Sequence, residues 1–208
     1  MSNVDQIKWT NRLRGDNGSL CKVSIDGTDF RRMHSDWKRY RSHKFDAPAL
    51  RYEVGIAIQS GDIVWINGPF PAGRYNDIVI FRDKLKDKLE FCKEKVEADD
   101  GYRGEEFYIE LPRNVGHGGH AQKRIKGLVR TRHETCNKRF KNWRALSERF
   151  RHSSDLLHGR IFRSIVAITQ LQFEHGNPLF QVEYRTLETN QGRKNRLKML
   201  ELVKQCNR

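Results

Sequence analysis

Residues 50–73 read LRYEVGIAIQSGDIVWINGPFPAG, and the fold is decided there. RYEVGIAIQ (51–59) and DIVWIN (62–67) are apolar and rich in β-branched residues, and Ser60-Gly61 between them is turn chemistry, so the stretch predicts a β-hairpin. Ile56, Ala57 and Ile58 are consecutive and apolar, which predicts a strand buried on both faces. GPFPAG (68–73) predicts a loop from its Pro and Gly content.

Upstream, CKVSID (21–26) predicts a strand running into a turn at Asp26-Gly27. Downstream, a helix is predicted from Asn76 or Asp77, with Ile78, Phe81, Leu85, Leu89, Cys92 and Val96 at three- and four-residue steps. VEADDGYRG (96–104) predicts a short segment at the sheet edge, and EFYIEL (106–111) a further strand ended by Pro112. NVGHGGHAQ (114–122) predicts a Gly-rich mobile loop. The basic helix after it carries an apolar stripe of Phe140, Trp143, Leu146 and Phe150. Another helix is predicted over 155–174, through Leu157, Ile161, Ile165, Ile168 and Leu171, and LFQVEY (179–184) predicts a last strand before a polar tail. This order implies an α/β fold, a mixed sheet of about five strands flanked by helices, and it is the element order of an RNase H-like fold.

The 208 residues include 40 Lys+Arg against 26 Asp+Glu, a formal charge of +14. A chain of this size fits one domain, here with a basic tail. No apolar stretch approaches the roughly 20 residues that span a bilayer, and MSNVDQIKWTNRLRG lacks the apolar core of a secretory signal. Cys21, Cys92, Cys136 and Cys206 stand far apart with no CxxC pair, as expected of a reducing compartment. The charge is uneven. Residues 120–152 hold eleven Lys/Arg against Glu134 and Glu148, and residues 29–44 hold six against Asp29 and Asp36. Such segments suit phosphate backbones.

Three acids stand out by position: Asp26 at the end of the first strand, Asp99 after the first long helix, and Glu134 alone among basic neighbours. Mg²⁺ takes hard oxygen ligands, and two such ions serve in-line displacement at phosphorus. Each acid also has an ordinary explanation: a turn at Asp26-Gly27, a cap at Asp99, and ion pairing of Glu134 with Arg130 or Lys138 at helical spacing. At about 100° per residue, Arg130 lies roughly −40° and Lys141 roughly −20° from Glu134, so the three share one helix face. That arrangement can hold a metal and clamp phosphates.

The pieces VSIDGTDF (23–30), the hairpin stretch followed by Asn76-Asp77, ADDGYRG (98–104) and RHETCNKRFKNW (132–143) resemble, in this order, the catalytic domain of a PIF/Harbinger-type DDE transposase. Asp99 and Glu134 are 35 residues apart, a spacing common among DDE enzymes. Arg130-x3-Glu134-x6-Lys141 matches the last three members of the Y-x2-R-x3-E-x6-K signature of bacterial relatives, with Gly127 where the Tyr would fall. The resemblance runs from about Val23 to Tyr184. It implies an RNase H-like enzyme that hydrolyses a DNA strand at a transposon end and joins the freed 3′-hydroxyl to target DNA. Asp26, Asp99 and Glu134 would be catalytic and would hold two Mg²⁺, with Mn²⁺ as substitute, and Arg130 and Lys141 would lie on DNA. From the basic segments, Arg132, Lys138, Lys123, Arg124, Trp37 and Arg39 join the expected DNA-binding set.

The resemblance also implies a nuclear location, a Myb-like DNA-binding partner protein, homo-oligomers assembled on DNA and no membrane. With 25 residues before Asp26, the expectation is a fragment, truncated copy or isolated core. Its parts are an N-terminal remnant or linker (1–22), the DDE domain (23–184) and a basic C-terminal tail (185–208). A domesticated DNA-binding protein without catalysis and an RNase H-like nuclease are the alternatives.

Several residues have competing readings. Asp100 adjoins Asp99, and the ADxGY register favours Asp99 as the ligand. Asp77 falls where the family often has an acid, and capping the next helix accounts for it. His117 and His120 form H-x2-H without matching ligands nearby, which favours a substrate-facing loop over zinc. Asn137 breaks the HExxH pattern begun by His133-Glu134. Phe140 and Trp143 read as core, and Trp37 and Tyr40 as the better aromatic contacts to DNA.

Overall fold

The computed structural model describes residues 6–112, 119–184 and 190–206. A six-stranded mixed sheet is built around β1 (Cys21–Arg31). β3 (Ala47–Ala57) pairs antiparallel with β1 from Val23↔Ala57 to Arg31↔Ala49, and β4 (Ile63–Pro71) pairs antiparallel with β3. On the other side, β5 (Lys95–Glu97) runs parallel to β1, and β6 (Ile109–Glu110) parallel to β5. The two-residue β2 (Arg41–Ser42) extends the start of β3. Three antiparallel long strands with two short parallel ones beside the first are an RNase H-like arrangement, as expected.

Alternation along the strands sorts the side chains onto two faces. Phe30, Leu50, Tyr52, Val54 and Ile56 face the helices α3 (Gly119–Lys141) and α5 (Asp155–Glu174), meeting Cys136, Phe140, Phe162, Ile165 and Val166. Phe162 sits 4.1 Å from Tyr52 and 5.3 Å from Phe30, ring centroid to centroid. Val23, Ile25 and Trp65 face the opposite way, toward Phe81, Leu85 and Tyr102. Burial of each large side chain is worth roughly 1.5–3 kcal/mol. Ile56, Ala57 and Ile58 are fully buried, as predicted for a strand covered on both faces.

Several elements differ from expectation. β1 does not turn at Asp26-Gly27: Asp26↔Val54 and Gly27↔Glu53 are ladder pairs, and the strand runs on to Arg31. β4 continues through Gly68-Pro69 to Pro71, where a loop was expected. The helix beginning at Asp77 is short. α2 (Asp77–Ile80) widens into a π-helical turn over Phe81–Leu85 and then tightens into a 3₁₀ turn over Lys86–Lys88, and Cys92, at φ 58°, takes the left-handed backbone that breaks the repeat. Val96 therefore belongs to β5, which lies between β1 and β6 rather than at the edge.

Residues 114–118 of the Gly-rich stretch lie outside the described residues, and Gly119–Gln122 are already helical. α5 has the expected bounds but a different inner face. His158, Phe162, Val166, Thr169 and Phe173 are buried with Ile165, whereas Leu157 and Ile168 are 36% and 40% exposed. Two polar members pair locally: His158 Nδ1 lies 2.7 Å from the Tyr52 hydroxyl, and Thr169 donates to the Ile165 carbonyl at 2.8 Å.

Of the stripe expected beyond α3, Phe140 and Leu146 are buried, the latter in α4 (Arg144–Ser147), while Trp143 is 37% exposed. Residues 179–184 form no strand, although Leu179, Val182 and Tyr184 are buried. The expected tail contains α6 (Asn190–Cys206). Two short pieces complete the chain, a 3₁₀ turn at Trp9–Leu13 and α1 (Trp37–Tyr40). No helix among the described residues is long and apolar enough to cross a membrane. None of Cys21, Cys92 and Cys136 is in a disulfide.

Candidate active site

β5 pairs with β1 only as far as Ser24↔Glu97, so from Asp26 onward β1 has lost its parallel neighbour. A cleft of about 570 Å³ opens at that point, between the sheet end and α3. Asp26, Asp77, Asp99 and Glu134 all line it, together with Lys44, Lys123, Arg130, Lys138 and Lys141.

Asp26 points toward α3, and its Oδ2 accepts a hydrogen bond from Asn137 Nδ2 at 3.0 Å. Burial, then the charge of Asp99, raises its pKa to about 6, against the opposing pull of Lys44, the Gly27 N–H and Arg130. Asp99 caps the turn Asp100–Tyr102, accepting from the Gly101 N–H at 2.8 Å. Asp100 is exposed and faces Arg103 at 3.5 Å, so Asp99 is the member of the pair that faces the cleft.

Asp77 was expected to cap the helix, but Asn76 does so, accepting from the Val79 N–H at 3.2 Å. Asp77 is instead lodged between two glycines. A Cβ on Gly27 would stand 2.3 Å from its Oδ1, and one on Gly101 would stand 3.0 Å from its Oδ2 and from Asp99 Oδ1. A side chain at Gly27 would have to displace the Asp77 carboxylate, and one at Gly101 would crowd both Asp77 and Asp99. Arg51 grips Asp29 through Nε at 2.7 Å and Nη2 at 3.0 Å, and its Nη1 lies 3.3 Å from Asp77. Burial raises the Asp77 pKa to about 6; Arg51 opposes this, while Asp99, Asp26 and Asp29 add to it. Its Oδ1 is buried without a hydrogen bond.

α3 forms the other wall. Its buried face is largely polar, and three of those polar groups meet the sheet and the segment beside it. Lys126 donates to the Leu111 carbonyl at 2.7 Å and lies 3.6 Å from Glu97; His133 Nε2 lies 3.1 Å from the Ser24 carbonyl; Asn137 holds Asp26. Glu134 lies on the rim, 63% exposed, in an i,i+4 pair with Arg130 at 3.4 Å. Lys141 is half-buried, and its pKa is lowered by burial and by Lys44, with Asp29 and Asp26 opposing. At Gly127, where the signature Tyr is missing, nothing lies within 4 Å of a built Cβ.

Of the expected DNA-binding residues, Arg130, Lys141, Lys138 and Lys123 line the cleft, and Arg124 is exposed on α3. Arg132 is a correction: it is fully buried and donates to the Ala57 and Ile58 carbonyls at 3.2 and 2.8 Å, so it offers nothing to phosphate. Trp37 and Arg39 are exposed on α1, away from the cleft lining. His120 is exposed, and His117 lies outside the described residues.

Asn137 and Lys44 were not anticipated. Asn137 is three residues after Glu134, on the same helix face, and that spacing was the available signal. Among the described residues, no three His, Cys, Asp or Glu side chains form a ready-made metal group. Comparison of the chain with family models, curated proteins and solved structures returns no match.

Proposed function

We propose that this chain is the core of a PIF/Harbinger-type DDE transposase or endonuclease, cutting and joining DNA strands. One observation carries the reading: Asp26, Asp99 and Glu134, the three acids of the resemblance, line one cleft whose other charged groups are mainly cations. The donor set suits a hard cation. Burial and the neighbouring carboxylates raise the pKa of both Asp26 and Asp77, so a cation among them would relieve the repulsion, and Asp77 Oδ1 accepts no hydrogen bond, with Arg51 Nη1 3.3 Å from it. Asp26 and Asp99 would hold Mg²⁺, or Mn²⁺ in its place, with Glu134 joining from the opposite wall.

Two bound ions supply activation of the attacking oxygen and neutralisation of the leaving one. The protein's own contribution is positioning. Asn137 fixes the Asp26 carboxylate, and Lys44, Lys123, Lys138 and Lys141 attract the phosphates. The Arg130–Glu134 pair is exposed, and pairs of this kind are worth only about 0.3–0.5 kcal/mol. Glu134 is therefore easily drawn from Arg130 to a stronger cation, leaving Arg130 for DNA. A nuclear site of action, oligomers on DNA and a Myb-like partner belong to the same proposal.

The test is incubation of the full chain with duplex and single-stranded DNA carrying a 3′-hydroxyl, in Mg²⁺ or Mn²⁺. Metal-dependent cleavage that Asp26→Asn and Glu134→Gln both abolish is the expected result, and unchanged cleavage by Glu134→Gln refutes it. Joining of the 3′-end to a second DNA distinguishes a transposase from a nuclease using only water. A DNA-binding protein without catalysis is the second reading, favoured by the exposed position of Glu134 on the rim, paired with Arg130. It predicts salt-dependent binding and no product.

A further inference from the structure

A second groove, of about 730 Å³, lies beside α1 and holds a combination of groups that the cleft lacks. Trp37 and Met33 line it and are 49% and 52% exposed. Phe45, Arg31 and Arg149 line it too, with the Arg31 guanidinium 4.7 Å from the Phe45 ring. Its acid, Asp46, is held by Arg41 at 2.9 Å, so negative charge in the groove is already matched. Arg32 does not contribute charge to a ligand, because it is buried against Asp155 and donates to the Ser153 carbonyl.

The groove and the cleft adjoin through neighbouring residues of the chain. Phe45 lines the groove, its chain neighbour Lys44 lines the cleft, and Lys141, also in the cleft, has its Nζ 5.9 Å from the Phe45 ring. A polyanion on Lys44 and Lys141 thus continues past Phe45 into the groove. A flat exposed indole beside two guanidinium groups suits an unpaired base flanked by phosphates. A duplex offers no exposed π-face to such a platform, whereas a single strand does.

We propose that this groove holds an unpaired segment of DNA, one base stacked on Trp37 and its phosphates on Arg31 and Arg149, contiguous with the strand lying in the acidic cleft. The position of that segment relative to the cut rests on the strand-cleaving reading; the binding itself does not.

The test is fluorescence anisotropy of a labelled single strand and of its duplex, with chelator present so that nothing is cut. Wild-type chain, Trp37→Ala, Trp37→Phe, Arg149→Ala and, as a control at another exposed tryptophan, Trp143→Ala are compared. Trp37→Ala should weaken single-strand binding by about 5- to 100-fold, the loss of one stacked base, and duplex binding by less than about twofold. Trp37→Phe should keep most of the affinity, Arg149→Ala should flatten the salt dependence, and Trp143→Ala should change neither.

Equal losses on duplex and single strand, or no loss at Trp37→Ala, would overturn the proposal. Intact single-strand binding with no cleavage in metal would instead refute the enzymatic reading and leave the groove assignment standing. Trp37 is half exposed on a four-residue helix, and an unchanged unfolding midpoint establishes that the variant is folded.

Discussion

Gly27→Ala should destabilise this protein only while Asp77 keeps its carboxylate. The added Cβ would stand 2.3 Å from Asp77 Oδ1 and 3.1 Å from its Cγ, where ordinary contact begins at 3.4 Å. Asp77 must retreat by about 1 Å toward the cleft it lines, between Gly101 and Arg51 and at the expense of its ion pair with Arg51. Overpacking of this kind costs about 1–3 kcal/mol. At about 2–4 °C per kcal/mol for a chain of this length, the midpoint should fall by about 2–12 °C. In an Asp77→Ala background the obstructing atoms are gone. The same change then removes a flexible glycine from a strand, a gain of about 0.5–1 kcal/mol. The sign of the effect should therefore reverse, giving a coupling of about 1.5–4 kcal/mol. Urea unfolding of the four proteins, followed by tryptophan fluorescence, measures the cycle. An equal loss in both backgrounds would refute the wedged placement of Asp77.

Acidity supplies a second prediction. Folding raises the Asp26 and Asp77 pKa values to about 6, so between about pH 4 and 6 the native state binds more protons than the unfolded chain, and their contribution to stability falls as pH rises. Without divalent cations, Asp26→Asn should gain on wild type through that window, by on the order of 2 kcal/mol, and level off above it; thermal unfolding at a series of pH values checks this, and a pH-independent difference contradicts it. Arg132→Met should remove buried bonds to two carbonyls and lower stability by about 2–4 kcal/mol while leaving the salt slope of DNA binding unchanged. Lys138→Ala and Lys123→Ala should do the reverse, each reducing the slope by about 1 with little change in the unfolding midpoint. A calorimetric scan and a salt titration on the same variants separate the two behaviours.

Local chemistry carried the parts of the fold that could be read in advance. The hairpin at residues 51–67 was legible because two β-branched runs flank a short turn, and α5 because Leu157, Ile161, Ile165, Ile168 and Leu171 recur at helical spacing; the Ser154 cap, accepting from the Leu157 N–H at 3.1 Å, fixes its start. The inner face of α3 was hidden because Lys126, Arg132, His133 and Asn137 are buried there, and a polar stripe leaves no hydrophobic period to detect. In α5 the apolar residues outnumber the space on the sheet, and the aromatic pair Phe162 and Phe173 took it in place of Leu157 and Ile168.

The sequence by itself determined the class of fold, the chain order of the acids and the alignment of Arg130, Glu134 and Lys141 on one helix face. Each of these depends on spacing along the chain, which backbone periodicity converts directly into direction. Tertiary structure alone decided that Asp26 lies within a strand, that Asp77 is wedged between Gly27 and Gly101, that Asn137 holds Asp26, and that Arg132 faces the core. Those outcomes depend on where β5 stops pairing with β1 and how α3 is laid across the sheet end. They are set by contacts between residues about 50 to 110 positions apart, for which no local period exists.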